Sequence, residues 1–120
     1  MSSTTTYRLG QVVVVNVPFT GQTGSKPRPA VVVSADGFHR HLPDLIVCPI
    51  SSQPRFHQRP GFGDHPLAHW RSVGLRHAST ARISNLVAVE KKLIARVLGM
   101  LHTDDLERVQ QGLRDALALA

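Results

Sequence analysis

The chain has 120 residues, with 14 Lys and Arg against 8 Asp and Glu, and a formal net charge of +6. That length holds one domain around one core, and an apolar fraction of 42% is that of a globular chain and excludes disorder. A single cysteine excludes an intrachain disulfide and fits a reducing cytoplasm, no apolar run approaches the roughly 20 residues that span a bilayer, and the basic balance favours a polyanion, either nucleic acid or an acidic protein.

Residues 1–8 lack the apolar stretch of a signal peptide and read as a flexible N-terminal arm of the single 1–120 domain. "GQVVVVNVPF" reads as a strand, β-branched and opened by Gly10; its nearly continuous apolar run predicts burial on both faces over part of its length. A Gly-rich connection, "TGQTGSKP", leads to a second strand, "PAVVVSA". "DGFHRHLPD" reads as a loop opened by Asp36-Gly37, and "LIVCPIS" as a third strand in which Pro49 predicts an edge or a bulge. Residues 52–74 are the least regular, with an extended stretch expected near Phe62 and a helical turn over Leu67–Trp70. "STARISNLVAV" and "IARVLGML" read as strands around a turn at "EKK". In "TDDLERVQQGLRDALALA", Leu106, Val109, Leu113, Ala116 and Leu117 recur at helical spacing, behind Thr103 as N-cap and Asp104 and Asp105 at the positive end of the helix dipole. Five or six short strands and one terminal amphipathic helix predict a small curled, barrel-like sheet with the helix packed on it.

Arg28 stands between Pro27 and Pro29, which stiffen the backbone on both sides of one guanidinium, at the junction of loop and strand. A pinned guanidinium presents a planar fork of donors to phosphate oxygens and can stabilise charge that builds up in a transition state. Ser51 and Ser52 close the third strand and would place a hydroxyl near it. If Ala81 and Ile83 point inward, alternation turns Arg82 and Ser84 outward, and Arg82 becomes a candidate second phosphate contact. His65 and His69 are four apart without a third ligand at that spacing, so no metal site is expected. His57 is a candidate acid or base, and Cys48, in an apolar strand, an inert buried thiol. Neither phosphate-binding glycine pattern is present and no cofactor is expected.

Three segments in order resemble the MazF/PemK (Kid-like) family of toxins from type II toxin-antitoxin systems, over residues 9–117. "GQVVVVNVPFTGQTGSKPRPAVVVS" resembles the family's opening, with its "RPxVVxS" motif. "LIVCPISSQ" resembles its second signature, a strand ending in proline, an apolar residue and two hydroxyl residues. The stretch from "HWRSVGLRH" to "LERVQQGL" resembles the C-terminal half, in which an "L-G-x-L" strand leads into a capped helix. The resemblance implies a mainly β fold with a C-terminal α-helix, a small SH3-like barrel that is usually a homodimer. It also implies a metal-independent endoribonuclease of single-stranded RNA, acting by 2′-hydroxyl attack, and an antitoxin that binds the same basic groove. It makes Arg28 and Ser51 catalytic and Arg82 the counterpart of an arginine in the PemK branch, with Ser52 and His57 as further candidates. Where that branch has an aspartate this chain has Ser84, which leaves the base open between help from Arg28 and a histidine such as His57. RNA contacts are expected from Lys26, Gln53, Arg55 and Phe56, with Phe56 and Phe62 either stacking surfaces or core. A catalytically silent nucleic-acid-binding barrel and a module for an acidic protein are the alternatives.

Overall fold

The computed structural model of the protein describes residues 6–18 and 25–119. Seven strands pair antiparallel: β1 (Gln11–Pro18), β2 (Ser25–Val32), β3 (Asp44–Ser51), β4 (Asp64–Pro66), β5 (Thr80–Arg82), β6 (Val87–Glu90) and β7 (Ile94–Met100). Their spatial order is β4-β5-β3-β2-β1-β7, with β6 also paired to β3. Three helices complete the described chain: α1 (Asp36–His41), α2 (Pro54–Gln58) and α3 (Thr103–Leu117). The fold is mainly antiparallel sheet with a C-terminal helix. Most of the Gly-rich connection, residues 19–24, lies outside the described residues.

The valine-rich strands are buried on both faces, as their unbroken apolar runs predict. On one face Val12, Val31, Cys48 and Ile50 join Leu101 and Val109, and Leu106 and Leu113 of α3 pack against them. On the other face Val13, Val15, Ala30, Val32, Leu45 and Val47 join Tyr7. Each fully buried Val or Leu contributes roughly 1.5–3 kcal/mol, so these alternating residues hold the sheet's register. Gly10 opens β1 at φ +94, and a Cβ there would lie 2.9 Å from both Leu106 Cδ2 and Met100 Sδ. Only glycine fits both the backbone and the close approach of α3.

Several local expectations are corrected. The loop expected over 36–43 contains α1, whose His39 is buried at 2% exposure. Its Nδ1 donates to the Tyr7 carbonyl at 3.1 Å and its Nε2 bonds Ser34 Oγ, which also accepts the Ile46 N–H at 3.0 Å. This network ties down the end of the expected arm, where Tyr7 is buried. Residues 52–74 hold α2, opened by Pro54 at its first turn, where a proline costs no hydrogen bond. The extended stretch is β4, two residues past Phe62, and the helical turn lies at Trp70–Val73 while Leu67 sits in the core. Ala81 and Ile83 point inward, as alternation predicts, but "STARISNLVAV" is two strands, broken by a 3₁₀ turn at Ile83–Asn85. The N-cap of α3 is His102, whose Nδ1 accepts the Asp104 N–H at 3.1 Å; Thr103 is already helical. Ala116 and Leu117 lie past the core and are exposed.

Candidate functional site

Proline positions open a groove in the sheet. Among the described residues β3 pairs β2 only at Ala30 and beyond, so Pro27 and Pro29 lie where one flank of β2 carries no ladder and a missing N–H leaves no gap. Arg28, between them, is paired with Val15 of β1, which makes it a strand residue and not a junction residue. On its other flank β3 pairs β6 up to Val47 and β5 from Ile50. Pro49 therefore lies in a central strand at an interruption of the ladder, not at an edge. The facing chain leaves the ladder there through the Ile83–Asn85 turn.

A cavity of about 240 Å³ occupies this break. Six of the expected residues line it: Arg28, Ser51, Gln53, Arg55, Phe56 and Arg82, together with Pro49, Ile50 and Asn85. Three arginines line it, and among the described residues none of the lining is a carboxylate or an imidazole. Arg82 lies with its Cζ 3.6 Å from the centroid of the Phe56 ring, and Arg55 with its Cζ at 4.5 Å, so the aromatic face of α2 supports both cations. Ser51 Oγ accepts the Gln53 N–H at 3.2 Å, which leaves its own proton available to an anion. A second, apolar cavity of about 300 Å³ shares Arg28, Pro49 and Asn85 and continues over Val15, Ala30, Val47, Val87 and Val89. Phosphate oxygens suit the first cavity and the flat face of a base suits the second.

Three expected residues lie apart. Lys26 and Ser52 are exposed and do not line the groove. His57 Nδ1 donates to the Ser79 carbonyl at 3.1 Å, and His57 does not line it either. Phe62 is fully exposed in a turn and contributes nothing to the core.

Two residues of this region carried no signal that was read. Asn85 comes into the groove only because the strand breaks. Asp64 is paired across the ladder with Arg82, and its Oδ1 accepts from Arg82 Nε at 2.9 Å while its Oδ2 accepts the Gly61 N–H at 3.0 Å. Burial pushes the Asp64 carboxyl up, but the Arg82 and Gly61 hydrogen bonds and the charges of Arg82 and His65 outweigh this and hold it below the usual carboxylate range. A signal was available: Asp64 is the only acidic residue between Asp44 and Glu90, in a stretch full of arginine.

Burial pushes the Cys48 thiol up to about 12, against a smaller opposing effect of the Arg82 backbone, so it stays an inert thiol. His65 and His69 do not form a helical pair. His65 lies in β4 with its ring against Gly112 of α3, where a Cβ would overlap it. His69 instead stacks on His102, centroids 3.7 Å apart and planes 18° from parallel, beside Asp104. A metal on an imidazole nitrogen lies in the ring plane, and two planes this close to parallel do not meet near the rings. Among the described residues no helix is long and apolar enough to cross a membrane.

A profile of PemK-like, MazF-like toxins of type II toxin-antitoxin systems matches residues 8–117. No curated protein matches the chain significantly. Solved structures share the fold. An endoribonuclease in complex with its cognate antitoxin from a mycobacterial species is 20% identical, with 98% of each chain covered and a TM-score of 0.70. A mycobacterial endoribonuclease is 16% identical, with 96% of this chain and 94% of that one covered and a TM-score of 0.73. The MazE-MazF complex of Deinococcus radiodurans is 20% identical, with 97% of this chain and 100% of that one covered and a TM-score of 0.72. With nearly the whole chain matched, the protein belongs to the PemK-like, MazF-like toxin family of type II toxin-antitoxin systems.

Proposed function

We propose that the protein is a toxin endoribonuclease that cleaves single-stranded RNA in this groove, with no metal and with the substrate's own 2′-hydroxyl as nucleophile. The observation that carries the reading is the convergence of Arg28, Arg55 and Arg82 with Ser51 in a cavity whose described lining holds no negative charge. The 2′-oxygen attacks the adjacent phosphorus, the bond from phosphorus to the 5′-oxygen breaks, and the products are a 2′,3′-cyclic phosphate and a 5′-hydroxyl. Arg28 and Arg82 take the charge that develops on the phosphoryl oxygens, and Ser51 donates a hydrogen bond to one of them. A guanidinium stays protonated in a protein, so the described lining offers no base of its own; the 2′ proton passes to water or hydroxide, and the departing 5′-oxygen takes a proton from water to become the 5′-hydroxyl. The protein's contribution is position and electrostatics, which suffice when the nucleophile is already attached to the substrate. In the same reading the cognate antitoxin, offering carboxylates, competes for the arginines, and the working form is a homodimer as in the family. Two of the solved relatives are complexes with antitoxins.

The test is purified protein with a mixed-sequence single-stranded RNA in excess EDTA, the fragment ends being read by mass spectrometry. Discrete fragments ending in cyclic phosphate, absent with Arg28→Ala, are the expected result. RNA that is bound but left intact would replace the enzyme with a binding module.

A further inference from the structure

Arg82 is a long side chain at the rim of a groove, and its value there depends on being held in one orientation. A free arginine side chain samples many rotamers, and ordering it costs entropy. Three contacts order this one. The β4–β5 register sets Asp64 directly across from it. The Asp64 carboxylate takes its Nε–H at 2.9 Å. The Phe56 ring lies against the guanidinium.

We propose that Asp64 is a positioning residue for the reaction in the groove: it occupies the Nε edge of Arg82 and so turns the two Nη groups toward the phosphate. The proposal rests on the reading of the groove as the site of RNA cleavage. The division of labour follows from geometry. A guanidinium can present either its Nε–Nη edge or its Nη–Nη edge to an anion. With Nε engaged by Asp64, the remaining donors are those on the side away from the carboxylate. Asp64 does not line the groove, so its charge serves the arginine without facing the substrate. Its side chain is 6% exposed against 23% for Arg82, so the pair grades from a buried anchor to an accessible head. The second carboxylate oxygen is fixed by the Gly61 N–H, which stops the carboxylate from following the arginine if the latter moves. The Ile83 N–H donates to the Gly63 carbonyl at 2.7 Å, which fastens the same turn to the residue after Arg82. The carboxyl stays ionised at neutral pH for the reasons given above.

A merely structural ion pair between β4 and β5 would look the same in the folded protein, so the test uses coupling. Asp64→Asn and Arg82→Ala are made singly and together, and kcat and KM are measured on one cleavable single-stranded RNA. The expected result is a fall in kcat of about tenfold for Asp64→Asn with KM nearly unchanged, as for other residues that orient a reacting group, and no further fall when the change is made on top of Arg82→Ala. The Arg82 Nε–H resonance in the full-length protein gives a readout independent of catalysis: it is expected to exchange slowly in the wild type and fast in Asp64→Asn. If Asp64→Asn fails to fold, Asp64→Glu takes its place, keeping the charge but displacing the carboxylate from the Arg82 Nε–H, and the same tenfold fall in kcat with KM nearly unchanged is expected. Equal losses from Asp64→Asn with and without Arg82 would overturn the proposal, as would an unchanged kcat. An Arg82 Nε–H that exchanges freely in the wild type would overturn it as well. A wild type inert toward every RNA would overturn the functional reading, and Asp64's role with it, while the slow Nε–H exchange would show that the contact itself exists.

Discussion

Two carboxylates whose side chains are almost out of solvent, Asp64 and Asp105, show what sheltering a charge can be for. Asp105 is 1% exposed and accepts the backbone N–H groups of Ala68 and His69 at 2.8 and 2.9 Å. It lies in the first turn of α3 and fastens the segment after β4 to the helix. Asp64 takes one backbone N–H and one guanidinium whose far end reaches the groove. Both satisfy the requirement that a buried anion be fully hydrogen-bonded, and no buried side-chain nitrogen or oxygen among the described residues lacks a partner. The difference lies in what each partner does next. The backbone held by Asp105 is an end in itself, whereas the arginine held by Asp64 carries the anchoring on to a site. Burial and pairing alone do not separate structure from function; the destination of the partner does.

Substitutions at each carboxylate and at the groove arginines separate the two roles. The scale is set by Arg28→Ala, expected to lower kcat by about 10²–10³ with a much smaller effect on thermal stability, since it removes charge stabilisation in the transition state from an exposed residue. An equal effect on melting temperature would mean that Arg28 holds the sheet and not the phosphate. Next comes Asp105→Ala, expected to cost about 1–3 kcal/mol in urea unfolding because two part-buried N–H groups lose a charged acceptor, while kcat per folded molecule is retained. Asp64→Asn should do the reverse, with its tenfold effect on kcat exceeding its effect on stability.

The pH dependence follows from the lowered Asp64 carboxyl. Its folded value lies below its unfolded one, so its contribution to stability is fully present above about pH 4, the unfolded range, and is lost as the pH falls through the folded value. The stability difference between wild type and Asp64→Asn should thus be present at neutral pH and shrink below about pH 4. The smallest effect expected is in the salt dependence of RNA binding. Each phosphate neutralised on a single strand adds about −0.7 to the slope of log K against log salt, so Arg55→Ala should flatten that slope by about 0.7 while leaving kcat nearly intact.

Much of the sheet was legible because its signals are local. Valine runs, the "RP" pair and the spacing of Leu106, Val109 and Leu113 each report on their own neighbourhood, and Arg28, Ser51 and Arg82 do converge in one cavity. What was not legible depends on partners distant in sequence. Helix α1 is stabilised by His39 bonding Tyr7 and Ser34, and the break after Arg82 falls opposite Pro49 of another strand. Asn85 enters the groove as a consequence of that break, and His57 leaves it because the Ser79 carbonyl claims its ring. The His65–His69 spacing suggests a helical pair only while no strand is assigned to His65.

In the proposed reaction the groove supplies charge and the RNA supplies the nucleophile. The most direct test compares one cleavable RNA with the same RNA carrying a single 2′-deoxy nucleotide on the 5′ side of the cut bond, in EDTA, with the wild-type protein. Cleavage of the first to a cyclic phosphate is expected, with no cleavage of the second at that bond, though both bind alike. Cleavage of the deoxy substrate at the same bond would contradict it, because the attacking group would then have to come from the protein or from water.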